Sequence, residues 1–376
     1  STGSPSTLWR SALTRFTIHS GMNYLTNPQF PKQFHHNLTN FSLTFPIGTK
    51  KVFGFGLTPA FRTNRLEIEE DFQYIGVDES NTDIPTAYKS RYFVDGGVSE
   101  LFLQYSQKWT PHFSFGIEYS FLFGNQFIDD ELYTYDVFID TVFSSGLLID
   151  AIPEDEDTLY VQAINENMTR VKRSHQFSGI IFTLESRYTL PYQEWVLRAS
   201  INGGTKVLTE ITQTLNNALF TNNFYYTESM SISAIELGYH YQLAEHFGLI
   251  MEVHKNYALN IPEEVALFNI MPPDEHSLHL GMYYQLKNPK FGYWNSVNLR
   301  GGGYLKQLDF AGDKYSDYGF TFGLGIEYLA NTQALDFALR AGKRNSFIII
   351  GEDEHYLSFH IGITTGEKWF MKRRRK

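Results

Sequence analysis

The feature that most constrains this chain is a strict alternation running from Phe113 to Gly124. Phe113, Phe115, Ile117, Tyr119, Phe121 and Phe123 share one face, while Ser114, Gly116, Glu118, Ser120, Leu122 and Gly124 share the other. A period of two belongs to an extended strand with one apolar face, and no helix can present it. The same period returns at Phe41, Leu43 and Phe45, at Ile235, Leu237, Tyr239 and Tyr241, and at Phe247, Leu249, Met251 and Val253. It continues at Leu278, Leu280, Met282 and Tyr284, at Phe320, Phe322, Leu324, Ile326 and Tyr328, and at Leu357, Phe359, Ile361 and Ile363. Read along the whole chain, the pattern predicts strands over 14–25, 38–47, 51–66, 98–109, 113–128, 172–190, 194–208, 228–243, 247–258, 276–287, 294–308, 316–330, 334–347 and 354–365, about fourteen in all.

The connections carry as much information as the strands. Every second one is tight: Gly48-Thr49-Lys50, Thr110-Pro111-His112, Pro191-Tyr192-Gln193, Ala244-Glu245-His246, Asn288-Pro289-Lys290 and Asn331-Thr332-Gln333. The alternate ones are long, with loops predicted over 69–97, 129–171, 209–227 and 259–275 and shorter ones over 26–37, 309–315 and 348–353. Sorting of turns by length is the mark of bacterial outer-membrane barrels, which keep short turns in the periplasm and long loops outside the cell. A soluble β-sandwich, the main rival, has no reason to sort its turns this way. No stretch approaches the roughly 20 apolar residues of a membrane helix. In a transmembrane strand, however, lipid-facing and lumen-facing residues average out. Aromatic residues make up 16% of the chain, in keeping with strands and membrane interfaces. The expected fold is therefore all-β: a transmembrane antiparallel β-barrel over 14–370, preceded by an N-terminal periplasmic or plug remnant over 1–13. A basic periplasmic tail follows over 371–376. Both termini fall on the periplasmic side, and the bacterial outer membrane is the expected location.

Composition removes other classes. A net charge of −10 argues against nucleic acid as a partner. With no cysteine there is neither a disulfide framework nor a thiolate metal site. No nucleophile with base and orienter, no metal-ligand spacing and no phosphate loop is present, so an enzyme is not expected, nor a metal or cofactor. The acidic run Glu154-Asp155-Glu156-Asp157 falls in the longest predicted loop, as a solvated segment or, less simply, as a site for bridging divalent cations.

Turning the apolar series outward places Glu118, Glu185, Arg187, Arg198, Glu236, His240, Glu252, Arg340 and His360 inward, together with Glu327, Asp336 and His254. Near the short-turn ends of their strands, these groups are expected to pair across the lumen into a salt-bridged floor. They either rigidify the lumen or act as a gate. With Arg62 they are the candidate ligand or lumen residues, since guanidinium groups can also hold an anionic head group by paired hydrogen bonds. Glycines crowd the same face at Gly54, Gly56, Gly116, Gly179, Gly238, Gly281, Gly323, Gly325 and Gly362, implying either room for a ligand or relief of crowding in a coiled sheet. Pro59 interrupts the third strand and cannot donate to a ladder, so Gly56, Thr58 and Pro59 mark a candidate lateral opening.

Three segments resemble the FadL-type family of long-chain fatty acid and hydrophobic-compound transporters. They are Asn40-Phe41-Ser42-Leu43-Thr44-Phe45-Pro46-Ile47, the proline-broken Phe55–Phe61 segment, and Leu357–Ile363 followed by Glu367-Lys368-Trp369-Phe370. The resemblance implies a fourteen-stranded barrel that takes apolar ligands from outside and releases them sideways at a kinked third strand, where Pro59 falls. It also implies an N-terminal plug longer than the segment preceding the first strand here, of which Gly3-Ser4-Pro5-Ser6 would be a remnant. The function expected is uptake or passage of small hydrophobic compounds such as fatty acids. The alternative is an accessory structural barrel within a larger outer-membrane secretion or assembly complex. Expected partners are outer-membrane lipids and lipopolysaccharide, a hydrophobic small molecule and, on the alternative reading, protein subunits.

Overall fold

The structure is a computed structural model in which residues 4–10, 13–27, 30–62, 66–75, 86–142, 146–154, 157–215, 218–228, 231–257, 274–287, 294–310, 313–328, 332–345 and 353–367 are described. Among these described residues, seventeen strand segments form one antiparallel sheet. They are β1 (Thr14–Asn27), β2 (Phe30–Pro46), β3 (Lys51–Arg62), β4 (Leu66–Ile75), β5 (Thr86–Lys108), β6 (Phe113–Asp140), β7 (Leu147–Glu154), β8 (Asp157–Thr189) and β9 (Gln193–Leu215). The rest are β10 (Ala218–Glu228), β11 (Ser231–Ala244), β12 (Phe247–Asn256), β13 (Asp274–Lys287), β14 (Trp294–Phe310), β15 (Asp313–Tyr328), β16 (Gln333–Asn345) and β17 (Asp353–Glu367).

β4 continues β3 along β5, β10 continues β11 along β9, and β7 is a hairpin strand on the far side of β8 from β6. Removing these three from the seventeen leaves fourteen staves, closed by β1 against β17 from Thr14↔Glu367 to Thr26↔His355. Closure lets the staves pair their backbone groups laterally, which is what allows strands to cross a bilayer.

The apolar face points outward. Ile117, Leu184, Leu197, Leu237, Met251, Met282 and Phe322 are all exposed on the outer wall, where lipid replaces water. Trp109, Tyr188, Tyr192 and Trp195 cluster by the short turns as an aromatic girdle, with Trp195 packed 4.4 Å from Tyr239.

The walls are unequal in height. β6 has 28 residues and β8 has 33, whereas β12 has 10 and β16 has 13. Crossing a bilayer takes about 9–11 tilted residues, so β5, β6, β8 and β9 rise far beyond the lipid. The segments 69–97, 129–171 and 209–227, expected as loops, are mostly strand in the structure. Their mixed polarity hid them, because a strand with water on one side or both loses the greasy face that marks its lipid-embedded part.

A line of irregularity separates the membrane staves from this extension. β3 gives way to β4 opposite Gly97, β8 shifts register at Ile180/Ile181, and β11 gives way to β10 opposite Asn202–Thr205. At this level Gly96 has φ 112° and Gly124 has φ 156°, conformations that side chains resist. A Cβ on Gly96 would lie 2.2 Å from the Asn125 carbonyl oxygen, and one on Gly124 would lie 2.1 Å from that of Gly97. These glycines allow the tall wall to crease where it leaves the membrane. Of the acidic run, Glu154 and Asp157 pair at the ends of β7 and β8, while residues 155–156 lie outside the described residues. The basic tail 371–376 lies outside the described residues.

Candidate functional site

The barrel interior is divided between a filled side and a hollow one. On the filled side, β5, β6, β8, β9, β11 and β12 turn charged residues inward, and these pair from strand to strand. Gln104 donates to Glu118, and Arg198 reaches Glu118 at 3.2 Å. Arg187 lies 3.6 Å from Glu185 and bonds Glu194 on the neighbouring strand. His240 stands 3.5 Å from Glu194 and 3.8 Å from Glu252, and His254 stands 3.4 Å from Glu236 and 3.8 Å from Glu252. Alternation dictates this arrangement, since inward positions on adjacent staves fall side by side in register, as Glu185↔Arg198↔Glu236 do.

The N-terminal segment completes the filled side. Its 3-10 helix, Pro5–Arg10, lies inside the periplasmic mouth against β5, β6 and β8. Ser4 and Ser6 donate to Glu185, Arg187 donates from Nε to Ser6 at 2.9 Å, and Arg10 pairs with Glu194 at 2.7 Å. Gly116 is what admits the segment: a Cβ there would lie 2.3 Å from the Pro5 carbonyl carbon. Glu185 and Arg187, only 2% and 5% exposed as side chains, are thus held by seryl hydroxyls as well as by each other, so neither charge is left bare. Ser4, Ser6, Arg10 and Glu194 were not among the expected site residues. The alternation of β9 placed Glu194 inward, but no periodic signal marks a six-residue 3-10 turn.

On the hollow side, β12 to β17 and β1 to β3 surround a cavity of about 850 Å³. Glycines make the space: Gly281, Gly302, Gly323 and Gly362 line it, and a Cβ on Gly281 or Gly323 would meet nothing nearer than 3.5 Å. Polar groups face it, including His19, His279, His360, Glu252, Arg300 and Asp336. Among the described residues, no group of three or more His, Asp or Glu is placed to hold a metal. Gly56, Gly325 and Gly362 depart from the pattern, because the Phe102 ring, the Asp336 carboxylate and the His19 ring stand 2.4, 2.8 and 2.8 Å from where their Cβ atoms would be.

Thr39, Asn40 and Thr58 also line the cavity, and there the wall changes. The β2–β3 ladder runs from Pro46↔Val52 to Phe41↔Leu57 and pairs no further. Beyond that point β2 pairs with β1, and β3 pairs with β5 through Pro59↔Ser99 with a register shift between Pro59 and Phe61. The hydroxyl of Thr58 reaches across, donating to the Thr39 carbonyl at 3.0 Å.

Of the expected lumen residues, Glu118 and Arg198 pair with each other, and beside them Glu185, Arg187, Glu236, His240 and Glu252 are joined through Glu194 and His254. Arg340 and His360 do not join that floor. His360 faces the hollow at mid-height, opposite Gly21 of β1. Arg340 lies toward the extracellular ends of its neighbours and pairs with Asp317 at 3.0 Å. Both were expected near the short turns, yet each lies seven positions up its strand from that end, β16 starting at Gln333 and β17 ending at Glu367. The side chain of Arg62 lies outside the described residues.

The fold is shared with solved proteins. The CymD monoaromatic hydrocarbon channel superposes with a TM-score of 0.55 at 11% identity, covering 98% of this chain and 92% of that one. The Pseudomonas putida toluene transporter TodX gives 0.52 at 12% identity, with 98% and 93% covered. A Pseudomonas aeruginosa FadL homologue gives 0.51 at 10% identity, with 97% and 93% covered. The chain is thus similar in fold to FadL-type barrels, as the segments around Phe41, Pro59 and Phe359 implied. None of the curated proteins matches it in sequence. The model of the BamG family matches residues 4–376, the N-terminal segment and the barrel together, so the chain belongs to the BamG family.

Proposed function

We propose that this barrel passes a small hydrophobic compound through its hollow side and releases it sideways between β2 and β3. The observation that carries this reading is the end of the β2–β3 ladder at Phe41↔Leu57, directly beside a cavity of about 850 Å³. A wall lacking backbone pairing is where a molecule can leave a closed barrel for lipid without passing the filled periplasmic mouth. The polar lining favours compounds with a polar end, and fatty acids are one such class. The hydrocarbon channels that share the fold are consistent with an apolar cargo. On this reading Gly56, Thr58 and Pro59 shape the exit, and Glu252, Arg340 and His360 border the path. The filled network from Glu118 to His240 acts as a rigid floor.

The chain has no cysteine of its own, so an engineered pair reports cleanly. Extending the ladder register places Asn40 opposite Thr58. In Asn40→Cys/Thr58→Cys, oxidation should slow passage of a hydrophobic probe into proteoliposomes, and reduction should restore it. Equal rates in both states would rule the seam out.

A second reading, an accessory barrel within a larger outer-membrane secretion or assembly complex, is favoured by a separate observation. The β9–β10 ribbon exposes Leu215, Leu219, Phe220 and Tyr225, the last at 80%, and residues 211–227 carry no charge. Leu215 lies 22 residues above the β9 start, about 55 Å at ~3.3 Å per residue and ~40° tilt, beyond a ~25 Å apolar band. Leu219 and Tyr225 share the face of the ribbon opposite the one that carries the buried Val207 and Thr209, and apolar surface there, above the lipid, is what a protein contact would require. Extraction in mild detergent should then yield the chain with other subunits; a lone monomer would count against it.

A further inference from the structure

A second cavity, of about 260 Å³, opens at the extracellular end of the lumen and is bordered by Asn23, Lys306, Asp317, Arg340, Tyr356 and Ser358. Its wall is built. Arg340 lies over the Tyr304 ring at 4.3 Å and over the Tyr356 ring at 5.0 Å, while its Nη2 donates to Tyr356 at 2.9 Å and to Asp317 at 3.0 Å. The Tyr356 hydroxyl donates to Asp317 at 2.5 Å and meets the hydroxyl of Tyr304. Gly342 makes room for both hydroxyls: a Cβ there would lie 2.4 Å from that of Tyr356 and 2.5 Å from that of Tyr304. Nearby, Lys306 pairs with Glu275 at 2.9 Å and Arg344 with Glu354 at 2.7 Å.

The chemistry of the wall narrows the ligand. Three cations, Lys306, Arg340 and Arg344, border the cavity with two carboxylates, Glu275 and Asp317, and Arg344 is matched by the buried Glu354, so the field selects neither anion nor cation. A charged ligand would have to compete with these ion pairs for its partners. An uncharged polyol need not, because Glu275 and Asp317 border the cavity with acceptor lone pairs and Arg340, a third exposed, keeps N–H groups beyond those already bonded. Planar, charge-assisted groups of this kind bond adjacent hydroxyls of a ring, and hydrogen bonds to charged partners are the stronger ones. The volume equals about nine waters at ~30 Å³ each, enough for one sugar ring and too small for a lipid.

We propose that this cavity binds a single uncharged sugar ring. The proposal does not rest on passage through the hollow side. The ring could come from a free monosaccharide or from surface glycan such as lipopolysaccharide, and the shared chemistry is the same set of ring hydroxyls.

The test is calorimetric titration of the full chain in detergent with glucose, galactose and N-acetylglucosamine. Lipopolysaccharide-derived oligosaccharide forms a separate arm, and glycine serves as a zwitterionic control. Saturable binding of a monosaccharide assigns the free sugar, and binding of the oligosaccharide alone assigns the glycan. In either case Tyr356→Phe, which removes one hydroxyl and keeps the ring, should weaken binding about tenfold. Asn23→Ala, outside the charged network, should also weaken it. Absence of saturable binding in both sugar arms, an affinity unmoved in both variants, or glycine binding as well as any sugar would overturn the assignment.

Discussion

The two sides of this barrel obey the same alternation and end in opposite states. From β5 to β12, inward positions hold Glu118, Glu185, Arg187, Arg198 and Glu236, whose chain of ion pairs fills the lumen and anchors the N-terminal turn. From β12 to β17, inward positions hold Gly281, Gly302, Gly323 and Gly362, and the lumen is empty enough for a ligand. The lesson is that the period decides which way a side chain faces, while residue size at each inward position decides whether the space is core or cavity.

The contrast can be broken most severely at Arg187. Arg187→Met leaves Glu185 buried without its guanidinium partner and Glu194 with the Arg10 guanidinium alone, and unfolding in denaturant should show a loss of about 3–5 kcal/mol. The double variant Arg187→Met/Glu185→Gln should recover part of it, because one uncompensated charge is removed. A loss below about 1 kcal/mol would mean that water already reaches these groups.

Next in size is a matched pair of glycine substitutions. Gly116→Ala puts a methyl 2.3 Å from the Pro5 backbone, so the N-terminal turn must shift. We expect a cost of about 1–3 kcal/mol and faster proteolysis ahead of β1. Gly281→Ala meets only ordinary contacts, 3.6 Å at the nearest, and should change stability by no more than about 0.5 kcal/mol. Equal effects would erase the distinction between filled and hollow.

A smaller effect is expected from pH in the tall extension. His175, 1% exposed, shares a hydrogen bond of 2.9 Å with Thr209, and burial, then Arg173, pushes its pKa down to about 4. A folded-state pKa below the unfolded value near 6.5 favours the neutral ring, so stability is full above pH 6.5 and falls as pH drops toward 4. Hydrogen exchange in β8 and β9 should accelerate between pH 6.5 and 5, by an opening free energy reduced by about 1–2 kcal/mol. His175→Gln should flatten that dependence; an unchanged slope would assign it to other groups.

Much of this was legible in the sequence, for identifiable reasons. The fourteen staves could be counted because lipid on one face forces alternation, as at Phe113–Phe123, and the short turns punctuate it. The partners Glu118, Glu185, Arg187 and Arg198 could be named from parity alone. The extension could not be found, because Thr86–Asp95 and Ile211–Thr227 stand in water and no greasy face is required of them. Nor could the height of Arg340 be fixed, since parity gives direction and not level. The docking of Ser4 and Ser6 depends on a tertiary contact at Gly116 that leaves no periodic trace.

The most direct test of the seam is cryo-electron microscopy of the protein in lipid nanodiscs prepared from its own membrane, with native lipid retained. The β2–β3 ladder should stop at Phe41↔Leu57, with density reaching from the hollow beside His19 and Thr58 into the surrounding lipid. A ladder continuing past Thr58, with side chains filling the lumen from β12 to β17, would contradict it.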